Sequence, residues 1–165
     1  GSAEREFYLY DTFAGMAEPG ENDAHITGDL HARDLYQDNK KETHVDWCYG
    51  PYEEVEALTK TLPCPGARFH LVKGLVEETI PATMPQSIAI LRLDTDWYES
   101  TIHELRHMFP RLSVGGFLMV DDYGSWAGAK KAVDEYFETH ALHRRMFLNA
   151  VHGHGSVIGQ LFPPS

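Results

Sequence analysis

The sequence predicts an α/β fold built around a parallel sheet with helices on both faces. Short apolar runs alternate along the chain with longer segments in which apolar residues recur at helical spacing. Three of the four strongest apolar runs end in aspartate, which places polar groups at the strand ends where parallel sheets bind ligands. With 165 residues the chain can bury the core of one domain, so a single domain over residues 1–165 is expected.

Four apolar runs predict buried strands, each bounded by polar residues or glycine. The predicted strands cover residues 7–10, 69–72, 88–93 and 117–120. The turn at 114–116 is expected to precede the fourth strand. Two further strands are expected around 145–148 and 157–162, and the glycine-rich segment 152–155 between them predicts a hairpin at the sheet edge.

Three segments show the apolar spacing of amphipathic helices, and they cover residues 51–62, 98–109 and 125–140. Pro51 suits the first turn of the first helix, and Ser125 is the predicted N-cap of the third. Residues 12–48 are polar and only weakly periodic. Such a long irregular connection predicts a lid or substrate loop.

Charge and composition argue against two classes of partner. Fourteen Lys and Arg stand against 25 Asp and Glu, a formal net charge of −11, so no basic face is expected for nucleic acid or an anionic membrane. No apolar run approaches the roughly 20 residues that span a bilayer. Two cysteines make no disulfide framework, so a cytoplasmic location is expected. Gly1 and Ser2 are interpreted as a tag remnant.

Four aspartates follow the third and fourth predicted strands: Asp94 and Asp96 after one, Asp121 and Asp122 after the other. A single helix joins these strands, which predicts that they are parallel neighbours and that the four carboxylates gather at one edge. Carboxylates that close need neutralising, and a hard divalent cation, Mg²⁺ or Ca²⁺, is the simplest way. The alternative interpretation is that they are solvated strand ends and turn formers.

Four segments of the chain resemble the macrocin-type O-methyltransferases of antibiotic biosynthesis. They are Tyr-Asp-Thr-Phe-Ala-Gly-Met at 10–16, Lys-Gly-Leu-Val-Glu-Glu-Thr-Ile-Pro at 73–81, Leu-Arg-Leu-Asp-Thr-Asp-Trp-Tyr-Glu-Ser-Thr at 91–101 and Gly-Gly-Phe-Leu-Met-Val-Asp-Asp-Tyr-Gly at 115–124. They keep the family's order and span nearly the whole chain. The resemblance implies a Rossmann-like methyltransferase sheet, S-adenosylmethionine (SAM) and Mg²⁺ as cofactors, and methyl transfer to a sugar hydroxyl of a glycosylated small molecule.

The resemblance also implies roles for individual residues. Asp96 matches the family's proposed general base, Asp11 the acidic residue that holds the cofactor ribose, and Gly74 the segment that passes the adenine. The metal-binding carboxylates of the family match Asp94, Asp121 and Asp122. In this mechanism the metal lowers the pKa of the attacking hydroxyl while the base accepts its proton.

The sequence departs from the family before Tyr10. Family members carry a first strand and a glycine-rich SAM loop there, whereas only nine residues precede Tyr10 here and they contain no such loop. We therefore expect a methyltransferase sheet that is truncated at its N-terminal side. Either a natural N-terminal region lies outside this sequence, or the chain is a shortened relative that keeps the metal half of the site and loses much of the cofactor half.

The missing strand is the central one of the family's sheet, so its two neighbours would each present an unpaired edge. Two arrangements would satisfy these edges: the two strands pair directly with each other, which shrinks the cofactor cleft, or a second copy of the chain supplies the missing contacts. The second is favoured and predicts a homodimer. Two other functions remain open at this point. One is a SAM-independent metal enzyme, a hydrolase or lyase that uses the aspartates, and the other is a non-catalytic fragment completed by a partner chain.

Overall fold

The computed structural model describes residues 4–151 and 155–164. Within these ranges the chain forms two compact units. The first comprises the described parts of Gly1–Glu18 together with Asp34–Met84, and the second comprises Pro19–Arg33 with the described parts of Pro85–Ser165. None of the helices described is long and apolar enough to cross a membrane.

The first unit is built on a pair of parallel strands, β1 (Arg5–Asp11) and β2 (Ala67–Lys73). Their register runs from Arg5 opposite Ala67 to Asp11 opposite Lys73. Aromatic side chains stack across the pair, with 5.0 Å between the ring centroids of Phe7 and Phe69. Three helices contribute to this half of the sequence: α1 (Ala32–Asn39), α2 (Tyr52–Thr61) and α3 (Val76–Thr79).

The second unit contains a four-stranded sheet and two long helices. Its elements in chain order are β3 (Ile88–Leu93), α4 (Tyr98–Met108), β4 (Leu112–Val120), α5 (Ala127–Thr139), β5 (Asn149–Ala150) and β6 (Val157–Gln160). The strand order is β3-β4-β6-β5, with β3 and β4 parallel and the other two pairs antiparallel. The predicted α/β class and the hairpin at the sheet edge are therefore confirmed.

Helices α4 and α5 pack together over the core of the second unit. Leu105 of α4 and Val133 of α5 are fully buried, as is Leu118 of β4. Phe109, just after α4, packs edge-on against Tyr136 of α5 with 5.5 Å between ring centroids. Burial of these apolar side chains is what fixes the ends of β3 and β4 beside each other.

Three local predictions were wrong. Strand β4 begins at Leu112, so the predicted turn at 114–116 lies inside the strand. Gly115 has a φ of +87°, and the pairing of β4 with β3 shifts register in this region. Helix α5 begins at Ala127 with Trp126 as N-cap, so Ser125 does not cap it. Strand β5 is shorter and later than the predicted 145–148. Most of the predicted turn at 152–155 lies outside the described residues.

The predicted irregular loop over 12–48 is more ordered than its composition suggests. It contains α1, whose Ala32 and Tyr36 are buried. After β1 the chain pairs with a later part of the same segment, since Val45 N donates to Ala14 O at 2.7 Å. Gly15 lies in this contact with φ +85°, and a Cβ there would overlap the carbonyl oxygen of Val45. That this segment acts as a lid stays a prediction.

Gly15→Ala is expected to lower the free energy of unfolding by about 3 kcal/mol, because it combines a positive φ with a backbone overlap. Gly66→Ala is the matched control, since Gly66 also has a positive φ of +89° but has no atom within 4 Å of the position that a Cβ would take. The control isolates the conformational cost, about 1 kcal/mol. Urea titration of both variants gives the difference, and equal losses would show that the close approach to Val45 is unimportant.

Candidate functional site

The carboxyl ends of β3 and β4 bring three aspartates together. Leu93 and Val120 are in register as the last paired residues of the two strands, and Asp94, Asp121 and Asp122 follow them directly. Each offers a carboxylate oxygen that lies within 4.8 Å of the others. These three residues, called the carboxylate cluster below, converge as their strand ends predicted. The set consists of oxygen donors alone, which suits a hard divalent cation.

Crowding and burial shift the pKa values of the aspartates in and beside the carboxylate cluster. Burial, together with the charges of Asp121 and Asp122, raises the pKa of Asp94 to about 6, although the adjacent Arg92 opposes the shift. Burial and a hydrogen bond with Asp122 raise the pKa of Asp96 to about 9. The pKa of Asp121 is lowered instead, chiefly because the Ser156 hydroxyl donates to it at 2.6 Å. So many acids this close hold their full negative charge only when a cation is present.

Arg92 is the positive group in contact with the cluster. One guanidinium nitrogen lies 2.7 Å from the Asp94 carboxylate, and another is paired with Asp121. This residue was not predicted from the sequence. A signal was present, because Arg92 precedes Asp94 by two positions and alternate residues of an extended segment share a face.

The turn after β3 orients Asp96. This residue has φ +64°, a left-handed conformation that aspartate tolerates better than most residues. On either side the turn is anchored in the unit: Trp97 is buried, and the Thr95 hydroxyl donates to the buried Glu104 of α4 at 2.9 Å. Asp96 therefore lies at the edge of the carboxylate cluster, within hydrogen-bonding distance of Asp122.

Residues 19–33 hold the starts of both long helices of the second unit. The buried carboxylate of Asp23 accepts hydrogen bonds from Tyr98 N, at the start of α4, and from Gly20 N, at 2.8 and 2.7 Å. A Cβ at Gly128 would overlap the same carboxylate, which shows how closely α5 approaches it. Ala127 N donates to Ala24 O at 2.9 Å. Asp23 was not predicted from the sequence either, because no local pattern indicates that its carboxylate accepts a hydrogen bond from Tyr98 N.

Asp11 and Gly74, the predicted cofactor-binding residues, lie side by side in the first unit. Gly74 N donates to Asp11 O at 3.0 Å, just beyond the ends of β1 and β2. The Asp11 carboxylate accepts a hydrogen bond from Phe13 N at 2.5 Å, and its side chain is at an exposed position. The φ of +138° at Gly74 favours glycine there.

Comparison with known proteins establishes the family. The model of the macrocin O-methyltransferase family, TylF, matches residues 1–154. The chain belongs to this family. The predicted resemblance is thereby confirmed, and with it the methyltransferase character of the α/β fold.

Curated relatives of this macrocin O-methyltransferase family member cover most of its chain. A tetracenomycin-C rhamnosyl 4'-O-methyltransferase from Streptomyces olivaceus is 32% identical over 136 residues, which are 82% of this chain and 48% of the relative. Demethyldecarbamoylnovobiocin O-methyltransferase from Streptomyces niveus is 32% identical over 137 residues, 81% of this chain and 47% of the relative. The chain thus spans about half the length of these relatives.

Solved structures support the same assignment. The O-methyltransferase NovP superposes with a TM-score of 0.76 and 26% identity, over 98% of this chain and 62% of that one. The calicheamicin methyltransferase CalS11 superposes with a TM-score of 0.64 at 20% identity, over 94% of this chain and 60% of that one, and this second likeness concerns the fold alone.

Asp23→Ala is expected to lower the free energy of unfolding by about 2 kcal/mol, because the backbone N–H groups of Tyr98 and Gly20 lose a buried carboxylate that accepts hydrogen bonds from them. The control is Asp29→Ala, which removes an exposed carboxylate from the same segment and should change stability by less than about 0.5 kcal/mol. Chemical denaturation measures both. If the two variants are equally stable, Asp23 does not anchor the start of α4.

Proposed function

We propose that this protein acts as a SAM- and Mg²⁺-dependent O-methyltransferase on a sugar hydroxyl of a glycosylated natural product. The observation that carries the proposal is the carboxylate cluster at the ends of β3 and β4, at the positions that match the family's metal ligands. Family membership and the named sugar substrates of relatives, such as a rhamnosylated tetracenomycin, support the substrate class.

The cluster fits a magnesium ion. Its three carboxylates supply only oxygen, and the raised pKa of Asp94 indicates negative charge that lacks full compensation. Asp94, Asp121 and Asp122 would hold the ion. When bound, such a cation lowers the pKa of a coordinated hydroxyl and orients the sugar.

Asp96 has the position required of the general base. It follows Asp94 by two residues, and its turn directs the carboxyl group toward Asp122 without making it part of the cluster. A carboxylate whose pKa is raised by burial is a stronger base once ionised. Asp96 would accept the proton of the attacking hydroxyl, and bound SAM would supply the methyl group.

Asp11 and Gly74 would bind SAM. An exposed carboxylate at the end of β1 can accept hydrogen bonds from ribose hydroxyls, and Gly74 lies beside it, with its N–H bonded to Asp11 O. A cavity of about 560 Å³ in the first unit is lined by Thr12, which follows Asp11, and by Gly74. Both explanations for the missing glycine-rich loop, a natural N-terminal region outside this sequence and a shortened relative, stay predictions, as does the cytoplasmic location.

Asp121→Ala is expected to weaken Mg²⁺ binding by at least about tenfold, because one of three anionic ligands is lost. Asp134→Ala is the matched control, since Asp134 is a half-buried aspartate of the same unit that lies outside the cluster. Isothermal titration with MgCl₂ and with ZnCl₂ measures the affinities. Equal Mg²⁺ affinities for wild type and Asp121→Ala, or a preference for Zn²⁺, would contradict the metal assignment.

Asp96→Asn should retain Mg²⁺ binding and lose about 10²–10⁴-fold in turnover, the usual contribution of a positioned general base. The amide keeps the size of the side chain but accepts no proton. Product mass after incubation with SAM and a glycosylated acceptor measures methyl transfer, and the Mg²⁺ titration serves as the folding control. Near-normal turnover by the Asn variant would remove Asp96 from the mechanism.

A homodimer is also proposed. β1 pairs with β2 and β3 pairs with β4, while no strand within residues 4–151 and 155–164 pairs with the second edge of β1 or of β3. Apolar side chains are exposed on both edge strands, Phe7 at 42% and Ile90 at 64%. Such edges favour association. Light scattering should therefore give about twice the chain mass, and a single species of 18.7 kDa across the micromolar range would contradict the dimer.

A further inference from the structure

Arg92 is held beside the carboxylate cluster by the strand to which it belongs. It lies within β3, in register with Met119 of β4, one residue pair before the two strands end at Leu93 and Val120. Its backbone is therefore fixed in the sheet, while 51% of its side chain is exposed. The charged end of the side chain can move, but it stays in the neighbourhood of the cluster.

The guanidinium group of Arg92 bridges two of the three carboxylates. One of its nitrogens lies 2.7 Å from the Asp94 carboxylate, and another donates a hydrogen bond to Asp121. The two contacts use different nitrogens of one rigid fork, so Arg92 fixes the two carboxylates relative to each other. Both aspartates are partly exposed, and water therefore screens these ion pairs, so that each can be broken at a small cost in free energy.

Both oxygens of the Asp121 carboxylate accept hydrogen bonds. Oδ2 accepts one from Arg92, and Oδ1 accepts one at 2.6 Å from the hydroxyl of Ser156, a buried residue. A cation that binds Asp121 through Oδ2 therefore meets the positive charge of Arg92. The Ser156 hydroxyl is neutral, so competition from Arg92 has an electrostatic part that competition from Ser156 lacks.

Arg92 also sets the net charge of the cluster. The three ionised carboxylates and the guanidinium group together carry a charge of −2, which a single divalent cation neutralises. Without Arg92 the same carboxylates would carry −3. The Coulomb energy of a bound cation is proportional to its charge, so the loss of one neighbouring positive charge favours a trivalent ion more than a divalent one.

We propose that Arg92 is a positioning residue that competes with the bound cation for Asp94 and Asp121, lowers the affinity of the cluster for Mg²⁺ and matches the cluster to divalent rather than trivalent ions. The inference rests on the proposed function for the identity of the metal. Binding of Mg²⁺ is then an exchange, in which the guanidinium group releases Asp121 as the ion arrives. Removal of Arg92 consequently strengthens metal binding, whereas removal of a residue that only maintained the structure would weaken it.

Arg92→Met tests the proposal, because it removes the charge and keeps an unbranched side chain. Binding of MgCl₂ and of LaCl₃ to the full chain is measured by isothermal titration calorimetry. The affinity should rise about tenfold for Mg²⁺ and about thirtyfold for La³⁺, since the effect scales with the charge of the ion. Asp121→Ala identifies the relevant site in both titrations, because its loss should weaken the binding of both ions.

Three further variants separate charge from shape. Arg92→Gln can still donate a hydrogen bond to Asp121 but has no charge, so it should behave as Arg92→Met does. Arg92→Lys keeps the charge and should keep the ratio of La³⁺ to Mg²⁺ affinities within about twofold of the wild-type ratio. Arg144→Met is the matched control, since it removes the same charge from an exposed position of the same unit and should change neither affinity by more than about twofold.

Equal or weaker Mg²⁺ binding by both Arg92→Met and Arg92→Gln, a rise by the same factor for the two ions, or the same change in Arg144→Met would overturn the role of Arg92. Absence of Mg²⁺ binding by wild type and all variants would overturn it as well. Failure of the proposed function has a different signature. In that case the two affinities respond to the Arg92 variants as expected, but no methyl transfer from SAM to a glycosylated acceptor is detected with Mg²⁺ present.

Discussion

The candidate site depends on the close approach of the negatively charged residues of the carboxylate cluster at the ends of β3 and β4. Parallel pairing of β3 and β4 forces Asp94 next to Asp121, and the free energy of holding them there is supplied by the apolar core beneath. Arg92 and the Ser156 hydroxyl compensate part of the repulsion, while burial, together with the charges of Asp121 and Asp122, raises the pKa of Asp94. Under the proposed function a bound cation would neutralise the repulsion that is left.

A second constraint keeps this arrangement in register. Asp23 accepts a hydrogen bond from the beginning of α4 and lies close to the beginning of α5. Backbone hydrogen bonds of Ala24 and Ile26 hold the turn that follows Asp122. The turns that carry Asp96 and Asp122 are consequently fixed at both ends. Under the proposed function this rigidity would align the Asp96 carboxyl group with the proton that it removes, and small displacements of such a group reduce the rate sharply.

The sequence predicted those parts of the site that depend on strand ends. Convergence of Asp94 with Asp121 and Asp122 follows from apolar runs, a single connecting helix and the geometry of parallel sheets. Asp23 could not be predicted in this way, because its hydrogen bond to Tyr98 spans 75 positions of the sequence and no periodicity records such a contact. Arg92 was missed because an arginine on an exposed strand position usually faces solvent. The helix α1 escaped notice because its buried side chains, Ala32 and Tyr36, are too few to set a pattern.

The position of Asp23 also bears on how the protein assembles during synthesis. Residues 19–33 leave the ribosome early, yet Tyr98, Ser125 and Ala127, the groups they bind, follow many residues later. The second unit is therefore discontinuous in sequence, because residues of the first unit separate its two segments along the chain. A carboxylate destined for burial must stay hydrated until α4 and α5 exist. Folding of this unit is thus expected to be delayed until α5 has been made, unlike that of a domain encoded by one uninterrupted segment.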